Sequence, residues 1–242
     1  MTATPTAQLQ TIAPDLWAAQ TVHRAWPLVL PARMTVVREP TGLVLISPIP
    51  IDDQLADELA ALGPVRHIVA PNKFHYAYLA AARERYPSAT AHGPAGLEEK
   101  IGAPLDRPLT ATEHDFATLE PMAIAGAPKV DEFVFLHRPT RTLVTTDLLF
   151  NMKKPPALLS GLLLRLLSRA IGRPAMSRLW QFLASDRNAL LDSLDQVLAA
   201  DFDRLIVAHG DVIDRGGRQA LADGTAWLRR KAGRVPALAN PS

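Results

Sequence analysis

The chain opens on short runs of β-branched and apolar residues, Leu16–Val22, Arg33–Arg38 and Leu43–Ile49, each of strand length. Pro40, Thr41 and Gly42 punctuate the last two, which predicts a hairpin. Leu55, Leu59 and Leu62 then recur at helical spacing, with Asp52 or Asp53 placed to cap the helix and Gly63-Pro64 to stop it. Val65–Ala70 reads as a short buried strand, and Pro71-Asn72 turns the chain. Alanine, arginine and glutamate predict a helix from His75 to Tyr86, and Ala89–His92 returns as a strand. From Leu109 to Thr146 the pattern is β-rich again, with Val130–His137 and Thr142–Thr146 flanking a second hairpin turn at Arg138–Arg141. Leu158, Leu159, Leu162, Leu163, Leu166, Leu167, Ala170 and Ile171 form one helical face, opposite Arg165, Ser168 and Arg169. Helices over Ala175–Leu183, Arg187–Ala199 (capped by Asp186) and Gly216–Lys231, with a strand at Asp203–Ala208, complete the pattern.

Strand–helix–strand alternation requires a sheet covered by helices. Two hairpin-rich halves, each closed by helices, suggest four layers, although periodicity alone leaves a three-layer α/β sheet equally open. No repeat or long linker divides the chain, so residues 1–242 are expected to form a single domain with a helical insertion at about 153–185.

Composition narrows the function classes. Hydrophobic residues make up 48% and charged residues 21% of the 242, enough for a packed core. A net charge of +2 is too weak a bias for nucleic-acid binding. The absence of cysteine excludes disulfides and thiolate metal sites. The longest apolar stretch, Ala157–Ile171, is interrupted by Arg165 and Arg169 and falls short of the ~20 apolar residues of a membrane span. Met1–Gln10 has neither a basic start nor an apolar run, so a cytoplasmic location is expected, with a small molecule as partner and a homo-oligomer left open.

Three predicted strands end in polar residues: Asn72-Lys73-Phe74-His75 after the first, Asp147 after the second, His209-Gly210-Asp211 after the third. Ligands gather at strand C-termini in α/β sheets. Two imidazoles and a carboxylate brought together there would suit Zn, Mn or Fe. Each residue also has a plainer role: His209 as a hydrogen-bonding strand end, Asp147 as a cap, His75 as a helix start. Asn72 and Lys73 would bind an anionic substrate group at the next helix N-terminus; a solvated lysine is the simpler alternative.

Val207-Ala208-His209-Gly210-Asp211 resembles the closing element of the metallo-β-lactamase superfamily, and Arg141–Asp147 resembles its strand ending in a metal-bridging aspartate. Gly42–Pro48 and Ile68–Asn72 stand where the superfamily has its second strand and the strand before HxHxDH. Within that superfamily the chain looks most like a degenerate branch catalogued as a domain of unknown function, number 4336, which shares elements similar to VAPN..H, RPTRTLVTTDLLFN and AHG. The resemblance implies a four-layer αββα sandwich. It departs at the metal motif: Asn72 and Phe74 stand at ligand positions, Ser47 replaces an aspartate, and Gly126-Ala127-Pro128-Lys129 lacks the mid-chain histidine.

Two functions follow from the resemblance. One is a hydrolase with a reduced mononuclear site of His75, Asp147 and His209, with His92 or His137 as outside help and Asp211 as substitute base. The other is a metal-free relative that acts as a binding or structural domain. A redox iron site is a weaker third reading. At most one divalent metal is expected, and the amphipathic segment Leu158–Ile171 is expected to cover the site.

Overall fold

The computed structural model describes residues 7–25, 28–153 and 171–232. Strands β1 (Leu9–Ala13), β2 (Leu16–Ala25), β3 (Leu28–Glu39) and β4 (Gly42–Ile46) form an antiparallel meander. Helix α1 (Asp53–Leu62), β5 (Val65–Val69), α2 (Leu79–Arg85), β6 (Thr90–Gly93), α3 (Glu98–Ile101) and β7 (Arg107–Pro108) extend that sheet through parallel pairs to seven strands. The second sheet, ordered β11-β10-β9-β8, comprises β8 (Leu119–Ile124), β9 (Glu132–His137), β10 (Thr142–Thr145) and β11 (Arg204–Val207). Helices α4 (Arg178–Leu183), α5 (Arg187–Ala199) and α6 (Gly217–Ala232) follow the second sheet's core strands.

Alternation along the strands builds the layers. Val44, Ile46 and Val69 of the first sheet meet Phe133, Phe135, Val144 and Ile206 of the second in one buried cluster, so the sheets pack face to face. The residues between them point the other way. Leu43, Leu45 and Ile68 pack under Leu55 and Leu59 of α1 and Leu79 of α2. Leu143, Leu205 and Val207 pack under Trp180 of α4, Leu191 and Leu194 of α5 and Leu221 of α6. Each such leucine contributes on the order of 1.5–3 kcal/mol by leaving water. The result is the expected αββα sandwich. The strand before Asn72 and the strand before His209 lie in different sheets.

Several elements differ from the expected ones. The β2–β3 pairing is longer than the hydrophobic pattern shows, because it continues through His23↔Leu30 and accommodates Pro31 opposite Val22. Strand β1 was not foreseen in the polar N-terminal stretch. The helix expected from His75 begins only at Leu79. The Asn72 carboxamide oxygen accepts from the backbone N–H groups of Phe74 and His75, both at 2.8 Å, and this local turn takes the place of a helical start. The helix expected from Ala175 starts at Arg178 because Ser177 is its cap, accepting from Trp180 N–H, while Ala175 bridges to Phe150. The amphipathic segment Leu158–Ile171, and its expected position over the site, lies outside the described residues except for Ile171. No described helix is long and apolar enough to cross a membrane.

Candidate metal centre

Three strand ends converge. His75 follows β5, Asp147 follows β10 and His209 follows β11, and one donor atom from each lies within 4.8 Å of the other two. His75 Nε2 is 3.1 Å from His209 Nε2 and 3.4 Å from Asp147 Oδ2, while His209 Nε2 is 3.2 Å from Asp147 Oδ1. Donors at 2.0–2.1 Å from a tetrahedral ion are separated by about 3.3 Å; the 3.1 Å between the imidazoles is close to that separation, and each imidazole faces a different oxygen of the Asp147 carboxylate.

Both imidazoles are held from behind. His209 Nδ1 donates to the carbonyl of Pro31 at 2.7 Å, and His75 Nδ1 is 2.7 Å from Ser47 Oγ. Such outer partners fix ring orientation and leave Nε2 to face a metal. Ser47 reaches His75 from a left-handed backbone conformation, φ 56°, rare for a residue other than glycine. The Pro31 carbonyl sits on the long β3 strand, and Arg33 of the same strand, 7% exposed, donates to the Val207 carbonyl just before His209. Burial lowers the Arg33 pKa to about 10. Gly210 follows His209 at φ 121°, and a Cβ there would lie 2.0 Å from the Asn151 carbonyl oxygen. Only glycine allows this backbone approach, through which Asn151 N–H bonds the His209 carbonyl.

Asp147 is anchored by Asn72, whose Nδ2 donates to Asp147 Oδ2 at 2.8 Å and to Thr146 Oγ1 at 3.1 Å. The network continues inward. Thr146 donates through N–H and Oγ1 to Glu132 Oε1, both at 2.9 Å, and Trp180 Nε1 donates to Glu132 Oε2 at 3.1 Å. Burial, with the Asp147 charge beside it, pushes the Glu132 carboxyl up to about 6. Burial also opposes ionisation of Asp147, but His75 and His209 outweigh it and hold that carboxyl well below the usual carboxylate range. Burial works against a charge on His75 as well; Asp147 overrides it and raises the imidazole pKa.

The tautomers make a chemical point. A carbonyl only accepts, so His209 carries a proton on Nδ1. In its neutral form its Nε2 presents a lone pair to Asp147 Oδ1. Two acceptors then face each other at 3.2 Å unless a proton or a metal cation lies between them.

Of the other residues singled out in the sequence, Asn72 lies at the cluster, and Lys73, Asp211, His92 and His137 are engaged with other partners. Asn72 is fully buried with its amide committed, so it organises the cluster and has no surface to offer a substrate. Lys73 Nζ pairs with Asp131 at 2.9 Å. The Asp211 carboxylate pairs with Lys153 at 3.1 Å. His92 bonds His67 at 3.0 Å beneath Phe116, with Asp115 as a possible third donor, and His137 bonds Thr140 at the far end of β9 from Glu132. The sequence reading missed His23, Tyr78 and Phe150, which line the cavity above the cluster; the ring of Phe150 lies 4.5 Å from that of His209. Phe150 lies within the RPTRTLVTTDLLFN element, whose aspartate alone drew a role; His23 has no local mark, since the strand extension that brings it here is invisible in the hydrophobic pattern.

No family model matches the sequence, and no curated protein matches it either. Solved structures do. A metallo-β-lactamase from Pontibacter korlensis shares 15% identity with a TM-score of 0.64, over 93% of this chain and 99% of that one. The DIM-1 metallo-β-lactamase shares 12% with a TM-score of 0.66, over 95% and 99%. The metallo-β-lactamase FIM-1 from Pseudomonas aeruginosa, in its mono-zinc form, shares 16% with a TM-score of 0.62, over 94% and 96%. Likeness at such identities extends to the fold and no further. On its sheet topology and on these neighbours, the chain has the metallo-β-lactamase fold.

Proposed function

We propose that this chain is a hydrolase that binds one divalent metal, zinc in preference to manganese or iron, through His75, Asp147 and His209. The observation that carries the reading is the convergence of two outward-anchored imidazoles and an anchored carboxylate on one point, with donor separations of 3.1–3.4 Å. Two nitrogens and one oxygen suit zinc. When bound, the ion would supply a Lewis acid and an ionised water at neutral pH. The chain's own part is positional. Ser47 and the Pro31 carbonyl orient the rings, and Asn72 fixes Asp147. Asn72 stands where the superfamily motif begins, and its committed amide supports one metal rather than two. Asp211 faces Lys153, so the reading assigns it no proton transfer. The FIM-1 neighbour in a mono-zinc form is a precedent for a single ion on this fold. The branch numbered 4336 remains the part of the superfamily that the VAPN..H, RPTRTLVTTDLLFN and AHG elements favour.

A metal-free binding domain is the second reading, favoured by one observation: a proton on His75 Nε2 could join the two histidines without an ion. Assay of zinc-loaded protein against ester, thioester and phosphoester substrates separates the two. The hydrolase reading expects zinc-dependent turnover of one class, abolished by chelator and by His209→Ala. Turnover no faster than that of His209→Ala on every class would leave the binding-domain reading.

A further inference from the structure

The cluster forms the floor of a cavity of about 410 Å³, within the roughly 300–1,000 Å³ range of small-molecule sites. Its walls are apolar, supplied by Leu30, Pro48, Phe150, Leu179, Trp180 and Leu183. Phe74 and Leu179 are 43% and 57% exposed, so the apolar lining continues outward as a lip. Among the described lining residues Asp147 is the one carboxylate, and no lysine or arginine is present. A phosphate or carboxylate entering here would lose its hydration without gaining a counter-charge from these walls. Ser47 is committed to His75 and Ser177 to the Trp180 N–H. Among the described residues that leaves one polar pair on the wall, His23 Nδ1 and Tyr78 Oη, 2.8 Å apart with their rings edge to face. Burial, followed by the nearby His209 and His75, lowers the His23 pKa, so the pair offers hydrogen bonds without charge.

From this cavity we infer that the substrate is an uncharged carboxylic ester with an apolar acyl chain. Its ester group sits between the floor cluster and the His23–Tyr78 pair, and its chain runs along Leu30, Phe150 and Leu179 towards the lip. The inference rests on the hydrolase reading above for its chemistry, but its substrate-binding part stands alone. In the reaction the water oxygen bonds to the acyl carbon and the acyl C–O bond breaks. One water proton leaves with the alcohol and the other with the acid.

The test is binding without turnover. Calorimetric titrations with 2-decanone, 2-butanone and octanoate are run on zinc-loaded and chelator-treated protein. 2-Decanone should bind at least about tenfold more tightly than 2-butanone, given about 0.8 kcal/mol for each buried methylene, and on chelator-treated protein, where no zinc can hold a carboxylate, more tightly than octanoate. Leu179→Arg, at an exposed position where folding is undisturbed, should weaken 2-decanone at least about tenfold and bring octanoate closer, with zinc content unchanged. Tyr78→Phe should weaken the ketone and spare zinc. On chelator-treated protein, octanoate binding as well as 2-decanone would overturn the inference, and so would 2-decanone binding that is indifferent to Leu179→Arg. The expected ranking on protein that takes up no zinc when loaded would sustain the substrate class and sink the metal reading. One zinc with no ketone bound would do the reverse.

Discussion

Asn72 joins the two sheets at the site. Its side chain, itself buried, donates to Thr146 and Asp147 on one side and accepts from Phe74 and His75 N–H on the other. Asn72→Ala takes the acceptor from the Phe74 and His75 N–H groups and one donor from Asp147, at about 1–3 kcal/mol for a buried polar group with no partner. Chemical denaturation should show a loss of at least about 2 kcal/mol, and zinc affinity should fall because His75 loses its turn. Retained stability and affinity would show that the turn holds without the amide. The sequence marked Asn72 as a lost ligand and, with Lys73, as a substrate-binding residue, since what an amide does with both ends depends on the second sheet. His75, Asp147 and His209 were legible because each ends a strand, and strand ends converge in this fold. A second residue-scale effect comes from His92 and His67. Burial, and for His92 the adjacent His67, lowers both pKa values, that of His92 to about 4. Asp115 counters the effect at both histidines and Glu39 at His67, while Arg107 reinforces it at both and Arg66 at His67. A folded pKa below the unfolded one means that protons favour the unfolded chain. The stability that this pair contributes is therefore full above pH 6.5, falls as the pH drops towards 4, and loses nothing further from His92 below that. Urea unfolding should show this fall, and His92→Gln should remove about 1–3 kcal/mol of it; an unchanged pH profile in the variant would refute the assignment.

At the scale of elements, the site depends on junctions rather than on any single strand. The end of β11 is held by three features: Arg33 on the Val207 carbonyl, Pro31 on His209, and the 150–152 segment beside Gly210. Gly210→Ala would place a methyl group against the Asn151 carbonyl in a backbone conformation that alanine resists. Thermal and urea unfolding should show a loss of at least about 2 kcal/mol, with weaker zinc binding; wild-type stability would mean the two segments separate at no cost. Helix α5 shows what a sequence reveals by itself. Asp186 caps it at Asn188 and Ala189, and Leu190, Leu191, Leu194, Val197 and Leu198 are buried as their spacing requires. The late start of α2 was not legible because it depends on a partner distant in the chain, and the length of β2–β3 was not because its last pairs run through His23, Arg24 and Pro31, which break the hydrophobic pattern. Asn72 accepts locally in a pose that Asp147 fixes, and the strand extension is stabilised by pairing across to β3.

For the whole molecule, the order of strand, helix and hairpin with the strand-end motifs was sufficient to expect four layers, and the buried cluster between the sheets is where they meet. The site lies where ends of both sheets come together, so a ligand there couples to the stability of the sandwich. A metal that binds only the folded chain stabilises it by about 2.7 kcal/mol at a concentration 100 times its dissociation constant. For a domain of this size that amounts to a rise of roughly 5–10 °C in Tm. Scanning calorimetry should show the rise with zinc, its reversal by chelator and its absence in His209→Ala; an equal rise in the variant would place the metal elsewhere. The most direct test of the central claim is elemental analysis of untagged protein, purified without chelator and dialysed against limiting zinc, beside its His209→Ala variant. One equivalent of zinc per chain in the wild type and less than about a tenth in the variant is the result expected when one of three ligands is lost. Two equivalents per chain, or none, or one equivalent retained by the variant, would contradict it.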